Sequence, residues 1–212
     1  MSVEIIDVAP GLWVWRLEHP DYRGDDPEWD GRVTCTCVES GGEVALLDPL
    51  DGGEEVAARL DARPPTYVAI LKPDHIRHVD AFTSRYGIPA YGPLLYWRHD
   101  VPAAELQPIR RGTELPGGLR CLWDGRGQLE TPLWLPEQRT IVFADGMTAP
   151  EGELRIWNAA EHERWTLPAF RELLELPFER VIVSHGVPVH DRAAFERALE
   201  LPPWGASWPD DD

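Results

Sequence analysis

The order of apolar runs predicts an α/β chain folded as a single domain. Three observations carry this. A short apolar run, Val68-Ala69-Ile70-Leu71, reads as a buried strand and leads into Asp74, His75, Arg77, His78 and Asp80 ahead of a helix. The half of the chain around it alternates strand and helix. The other half is mostly β before it closes with helix, strand and helix, and its apolar runs also end in acidic or histidine residues. Open α/β sheets keep their chemistry at the carboxyl ends of strands, where these clusters fall.

Taken in order, Val3 to Val8 and Leu12 to Leu17 are strands joined at the turn dipeptide Pro10-Gly11. The polar segment His19 to Gly31 is an exposed loop, long enough to be read as a lid, a partner surface or a plain surface excursion. Val33 to Ser40 and Glu43 to Leu47 make a hairpin through Gly41-Gly42. The second of these strands stops at Asp48-Pro49-Leu50, ahead of a short helix over Glu54 to Asp61. After the central strand, Val79 to Arg85 is a helix ended by Gly87, and Ile88 to Tyr91 is another strand.

Leu119 to Trp123 is a strand, and Thr131 to Leu135 pairs with Thr140 to Ala144 in a hairpin that finishes at Asp145-Gly146. Thr166 is expected to cap a helix with Pro168 in its first turn and Phe170, Leu173 and Leu174 on one face. Arg180 to Val183 is a buried strand ending at Ser184-His185-Gly186, and Asp191 caps a last helix. The acidic end, from about 205 to 212, is expected to fray.

With 212 residues, 43% of them hydrophobic, the chain can bury one core. Its formal charge of −17 argues against nucleic acid and anionic membrane surfaces as partners, since both attract Lys and Arg. No segment approaches the ~20 apolar residues of a membrane span, and MSVEIIDVAP lacks the basic start and apolar run of a signal peptide. A cytoplasmic location and a small-molecule ligand are the expectations, with a homodimer left open. Three cysteines cannot all pair; Cys35 and Cys37 share one face of a strand and read as buried apolar residues. Among the ten tryptophans, Trp13, Trp15, Trp29, Trp97 and Trp134 read as core or pocket walls, and Trp204 and Trp208 as a surface tail. His19, His99, His162 and His190 attract no role.

Three strand ends carry the candidate chemistry. Ile70-Leu71 leads to Asp74, His75 and His78; Val142-Phe143-Ala144 leads to Asp145; Ile182-Val183-Ser184 leads to His185. One carboxylate and several imidazoles at a sheet edge could hold a zinc, iron or manganese ion, or a pair of ions, and activate water, with a two-metal centre the less expected of the two.

The chain resembles the metallo-β-lactamase fold superfamily. VAPGLWVWRL, the hairpin ending in LLDPL with Asp48, the strand and histidine cluster, WLPEQRTIVFADG and VIVSHG all fall in family order. The resemblance implies a four-layer αβ/βα sandwich with the site between two sheets. It also implies that Asp145 and His185 stand at the bridging aspartate and last histidine. The departures are pronounced. Of the family's Thr-His-x-His-x-Asp-His signature, only His75 and His78 fall on histidine positions once the reading is shifted by one residue. Pro73 and Arg77 take the places of a histidine and the aspartate, and Arg126 in DGRGQ takes that of the middle histidine.

Two readings follow from the resemblance. In the first, His75, His78, Asp145 and His185 hold one metal, with Asp145 and His75 catalytic, in a hydrolase of a small ester, thioester or lactone. In the second, a metal-free pocket binds a small anion, or the chain is an interaction module. Lys72, Asp74, Arg77 and Arg126 would then form the ligand-binding set, and Arg77 and Arg126 would replace the metal's charge.

Overall fold

The computed structural model of the chain describes residues 2–24, 31–96, 101–127 and 129–205. Trp29, Trp97, His99 and Trp208, part of the 19–31 loop and nearly all of the acidic end lie outside the described residues. The loop's base is closed by the His19 N–H donating to the Gly31 carbonyl at 2.8 Å.

Strands β1 (Glu4–Ala9), β2 (Leu12–Glu18), β3 (Arg32–Ser40) and β4 (Glu43–Leu47) form an antiparallel meander. Helix α1 (Gly53–Ala62) connects β4 to β5 (Tyr67–Ala69), and α2 (Val79–Tyr86) connects β5 to β6 (Ala90–Gly92). With β7 (Leu106–Pro108), these strands run parallel to β4 and complete a seven-stranded sheet in sequence order. The second sheet takes β8 (Glu114–Leu115), β9 (Leu119–Cys121), β10 (Leu133–Leu135) and β11 (Thr140–Val142). A small ribbon of β12 (Met147–Thr148) and β13 (Arg155–Ile156) and then α3 (Leu167–Glu172) follow before β14 (Arg180–Ile182) adds to β11 in parallel, and α4 (Arg192–Ala198) closes the fold.

The period-two pattern of the strands sorts the core into three apolar layers. Val14, Val38, Leu47 and Ala69 of the first sheet meet Leu119, Leu133, Val142 and Ile182 of the second, so the sheets pack face to face. The outer face of the first sheet, with Trp15, Cys35, Cys37 and Leu46, is covered by Val56 and Leu60 of α1 and by Val79 and Phe82 of α2. The outer face of the second sheet, with Trp134, Ile141 and Val181, is covered by Phe170 of α3 and Phe195 of α4. The result is the expected αβ/βα sandwich. Cys35 and Cys37 do share one buried face and are unpaired thiols, and Trp13, Trp15 and Trp134 are core. No helix among the described residues is long and apolar enough to cross a membrane.

Helix ends follow local chemistry with one correction. Gly87 ends α2 at φ 64°, and the Asp191 carboxylate accepts the Ala193 N–H at 2.9 Å at the start of α4. Thr166, by contrast, makes no side-chain capping bond and is itself helical, at φ −70° and ψ −53°. A π-helical turn over His162–Thr166, entered at Glu161 with φ 58°, runs straight into α3 and supplies the entry that a cap would have made.

Phe143, Phe170, Phe178 and Phe195 form one aromatic cluster beneath α3 and α4, with centroids 5.1–6.3 Å apart. Phe195→Ala is therefore expected to lower the unfolding free energy by about 3–5 kcal/mol. Urea denaturation measures this, and a loss below about 1 kcal/mol would contradict the packing described.

Candidate functional site

Four strand ends converge at one edge of the sandwich. β4 runs out at Asp48, β5 leads to Lys72 and His75, β11 leads to Asp145, and β14 leads to His185. Two backbone bonds between the halves hold them there: the Thr34 N–H donates to the Ser184 carbonyl and the Thr131 N–H to the Leu71 carbonyl, each at 2.8 Å.

Asp145 is the centre. Its Oδ2 lies 2.6 Å from the Lys72 Nζ and 3.4 Å from the His75 Nε2, and its Oδ1 lies 3.3 Å from the His185 Nε2. Lys72 also meets Asp74 at 2.6 Å. Behind His75, the Nδ1 sits 2.9 Å from the Asp48 Oδ2, while the Asp48 Oδ1 accepts the Leu71 N–H at 2.8 Å. Trp157 packs edge-on to the His185 ring at 5.5 Å.

The charges of this cluster depend on one another. Burial alone would raise the Asp145 pKa, but His75, Lys72 and His185 hold it well below the ordinary carboxylate range. Burial would lower His75; Asp145, aided by Asp48 and opposed by Arg77, instead pushes it up to about 9. Burial would also lower Lys72, and Asp145 and Asp74 together raise it. At neutral pH the centre is thus a carboxylate between an ammonium and an imidazolium. Asp145 so placed is a weak base, and His75 can donate a proton but not accept one.

The structure brings His75, Asp145 and His185 together and sets His78 apart from them. The His78 Nδ1 accepts the Asp51 N–H at 2.8 Å, at the start of α2. Arg77, at φ 41°, donates to the Asp48 carbonyl at 2.7 Å and the Ser184 hydroxyl at 2.6 Å. Arg126 lies between Asp124 at 2.6 Å and Glu130 at 2.7 Å. Among the three cations of the sequence argument, the one in contact with Asp145 is Lys72.

Sequence reasoning missed Asp48 and Trp123 as site residues, and Glu130, Trp157 and Trp165 altogether. Asp48 had a signal, an acid closing a buried strand; Glu130 and the three tryptophans had none in their spacing. Glu130 is fully buried and accepts the N–H groups of Ala144, Asp145 and Gly146 at 2.9, 2.8 and 2.6 Å. It therefore sets the turn that aims Asp145. Burial pushes its pKa up and Arg126 pulls it back; donors on every side require an acceptor, so we treat it as the carboxylate. His19 is also near enough to feel Arg77, His75 and His185: burial first, then Arg77, lowers its pKa to about 4 against the pull of Asp21.

A cleft of about 910 Å³ opens over Lys72 and Asp145, with Trp123, Trp157, Trp165 and Leu129 on its walls and Glu161 at its lip. Lys72 and Arg126 are the cations among its described lining residues, and each is matched by two carboxylates.

Two predictions follow from this geometry. Glu130→Gln leaves a buried guanidinium half-paired and is expected to cost about 3–5 kcal/mol in chemical denaturation; a change below about 1 kcal/mol would contradict the role assigned to it. Because the folded His75 pKa lies above the ordinary 6.5, its contribution to stability is complete below about pH 6.5 and lost as pH rises through about 9. The gap in Tm between the native chain and His75→Gln should shrink across that window, and a gap that widens with pH would refute the charge assignment.

No protein-family model matches the sequence, and no curated protein matches it. Solved structures do. The metallo-β-lactamase DIM-1 aligns with a TM-score of 0.69 at 13% identity, covering 95% of this chain and 97% of its own. FIM-1 from Pseudomonas aeruginosa, in a mono-zinc form, aligns at 0.68 and 18% identity over 94% and 96%. The metallo-β-lactamase from Erythrobacter litoralis aligns at 0.67 and 19% identity over 94% and 95%. Likeness at these identities establishes architecture and not chemistry. The chain has the metallo-β-lactamase fold.

Proposed function

We propose that this chain binds a small molecule with a flat apolar body and a neutral or positively charged end, in a cleft that works without a metal-activated water. The observation that carries the reading is the Lys72 ammonium, 2.6 Å from the Asp145 carboxylate. A resident metal does not fit this donor set as it stands. Unit charges 4 Å apart at an effective dielectric of ~20 interact by about 4 kcal/mol, so Lys72 would oppose a divalent ion by about 8 kcal/mol, as much as one carboxylate at that distance would attract it. A protonated His75 has no lone pair to offer at the Nε2, and His78 already accepts the Asp51 N–H through its Nδ1.

The ligand class follows from the lining. Three tryptophans and Leu129 offer apolar and aromatic walls of a size suited to a small organic molecule. An anion would find no uncompensated cation among the described lining residues; the carboxylates Asp74 and Glu161 also line the cleft, each exposed and paired, with Lys72 and Arg164. Aromatic faces with nearby carboxylates favour a cation or a neutral ring. Two of these tryptophans already attract guanidinium groups outside the cleft, Arg111 over Trp123 at 5.1 Å and Arg164 over Trp165 at 5.0 Å.

One observation favours a second reading, hydrolysis of a small ester, thioester or lactone at a single metal. Two imidazole nitrogens and a carboxylate already face one another at His75, Asp145 and His185.

A matched series decides the ligand: indole-3-ethanol, tryptamine and indole-3-acetate, read by thermal shift. A ligand at 100 times its Kd stabilises by about 2.7 kcal/mol, or about 5–10 °C for a chain of this size. The neutral and cationic members are expected to raise Tm and to lose the effect in Trp165→Ala; a rise with the anion alone would overturn the ligand class. Stoichiometric zinc in the purified chain, with ester turnover that a chelator abolishes, would establish the second reading instead.

A further inference from the structure

We infer that the ligand end this cleft takes is a quaternary ammonium, a cation without N–H groups, held among the indoles of Trp123, Trp157 and Trp165. The inference rests on the reading of the cleft as a seat for a flat apolar body, and it narrows the charged end of that ligand. Three segments bring the indoles together, and backbone contacts fix each of them. The Trp157 backbone N–H donates to the Gly146 carbonyl at 3.1 Å and that of Asn158 to the Trp204 carbonyl at 2.7 Å, while the Trp157 ring lies edge-on to His185. Trp165 belongs to the π turn entered at Glu161, and its backbone N–H donates to the Glu161 carbonyl at 2.9 Å. Turns of this kind are rare and gather at functional sites. Trp123 stands two residues before Gly125, at φ 82°, where a Cβ would run into the Trp165 carbonyl. The Trp123 segment and the π turn therefore touch backbone to backbone, and the aromatic walls are set before a ligand arrives.

Charge and hydration select the ligand end. The described lining residues include two cations, Lys72 and Arg126, and three carboxylates, Asp74, Asp145 and Glu161, a balance of one negative charge. The carboxylates are engaged: Asp74 and Asp145 with Lys72 at 2.6 Å each, and Glu161 with Arg164 at 3.5 Å. A primary ammonium entering the cleft gives up its bonds to water, and walls of indole and leucine carry no acceptor to replace them. A quaternary ammonium has no such bonds to lose. Its charge is spread over methyl groups that pack on ring faces, whose quadrupole attracts it, and the residual negative charge acts on it through space. Trp165 is still 47% exposed beside the Arg164 guanidinium and so has ring surface to offer.

One indole body separates the possible ends. Isothermal calorimetry on the native chain compares tryptamine, its N,N,N-trimethylated form and indole-3-ethanol at neutral pH and fixed ionic strength. The trimethylated cation is expected to bind tighter than either of the others, by on the order of 10-fold. Trp165→Leu keeps an apolar wall without a ring face and is expected to erase that preference, whereas Trp165→Phe is expected to retain most of it. Tryptamine or indole-3-ethanol bound as tightly as the trimethylated cation overturns this inference and leaves the wider reading of the cleft standing. A preference undiminished in Trp165→Leu does the same. Binding by none of the three overturns both. The comparison on the native chain is decisive even where a variant fails to fold.

Discussion

A carboxylate largely withdrawn from water where two sheets end must be neutralised, and the whole edge of this sandwich is arranged to neutralise Asp145, whose side chain is 16% exposed. Lys72 and His75 come from the first sheet, Asp145 and His185 from the second. The ion cluster is thus also a joint between the two halves, and sheet packing and site geometry cannot change independently. Left without partners, a buried charge of this kind costs several kcal/mol, which is why the surroundings are so closely specified. Two residues outside the usual backbone regions belong to the same arrangement. Asp48 and Arg77 hold φ of 47° and 41°, conformations that cost about 1–3 kcal/mol each and persist where contacts over-determine them. Asp48 is held by the Leu71 N–H and His75, and Arg77 by the Asp48 carbonyl and Ser184.

Behind the centre, Asp124, Arg126 and Glu130 form a second buried ion group whose task is mechanical. Glu130 binds the backbone of the turn that presents Asp145, and Arg126 balances two acids. Gly146 completes the fit, since a Cβ there would come within 3.2 Å of both the Arg126 guanidinium and the Glu130 carboxylate. The outcome is a cleft floored by mutually satisfied charges and walled by tryptophan. One architecture can hold a metal or an internal salt bridge at the same edge, because the strand ends that deliver ligands are set by sheet packing and not by the ion.

Much of the fold was legible because it is local. Alternation in Val33–Ser40, the Gly41-Gly42 turn, the acid-closed strands and the Asp191 cap all report on their own neighbourhood, and each is found where the sequence put it. The ladders end one or two residues earlier than the apolar runs, at Ala69, Val142 and Ile182, since the following residues bond across to other elements. Thr166 misled because the turn that starts its helix is a π turn, which has no cap signature.

By itself, the sequence determined the hairpins and the placing of acids and histidines at strand ends, since burial periodicity and turn chemistry act over a few residues; the four layers came only with the family resemblance. Only the tertiary structure decided which cation meets Asp145. Lys72, Arg77 and Arg126 carry the same charge and lie near the same strand ends; they differ in reach and in the direction their backbone gives them. Arg77 leaves a left-handed residue toward the Asp48 carbonyl, and Arg126 turns back to Asp124. Lys72, one residue beyond the Leu71 whose N–H Asp48 anchors, reaches Asp145. For Arg77 and Lys72 those directions are set by contacts between residues more than twenty positions apart, which no local pattern encodes; Arg126 is held by acids two and four positions away.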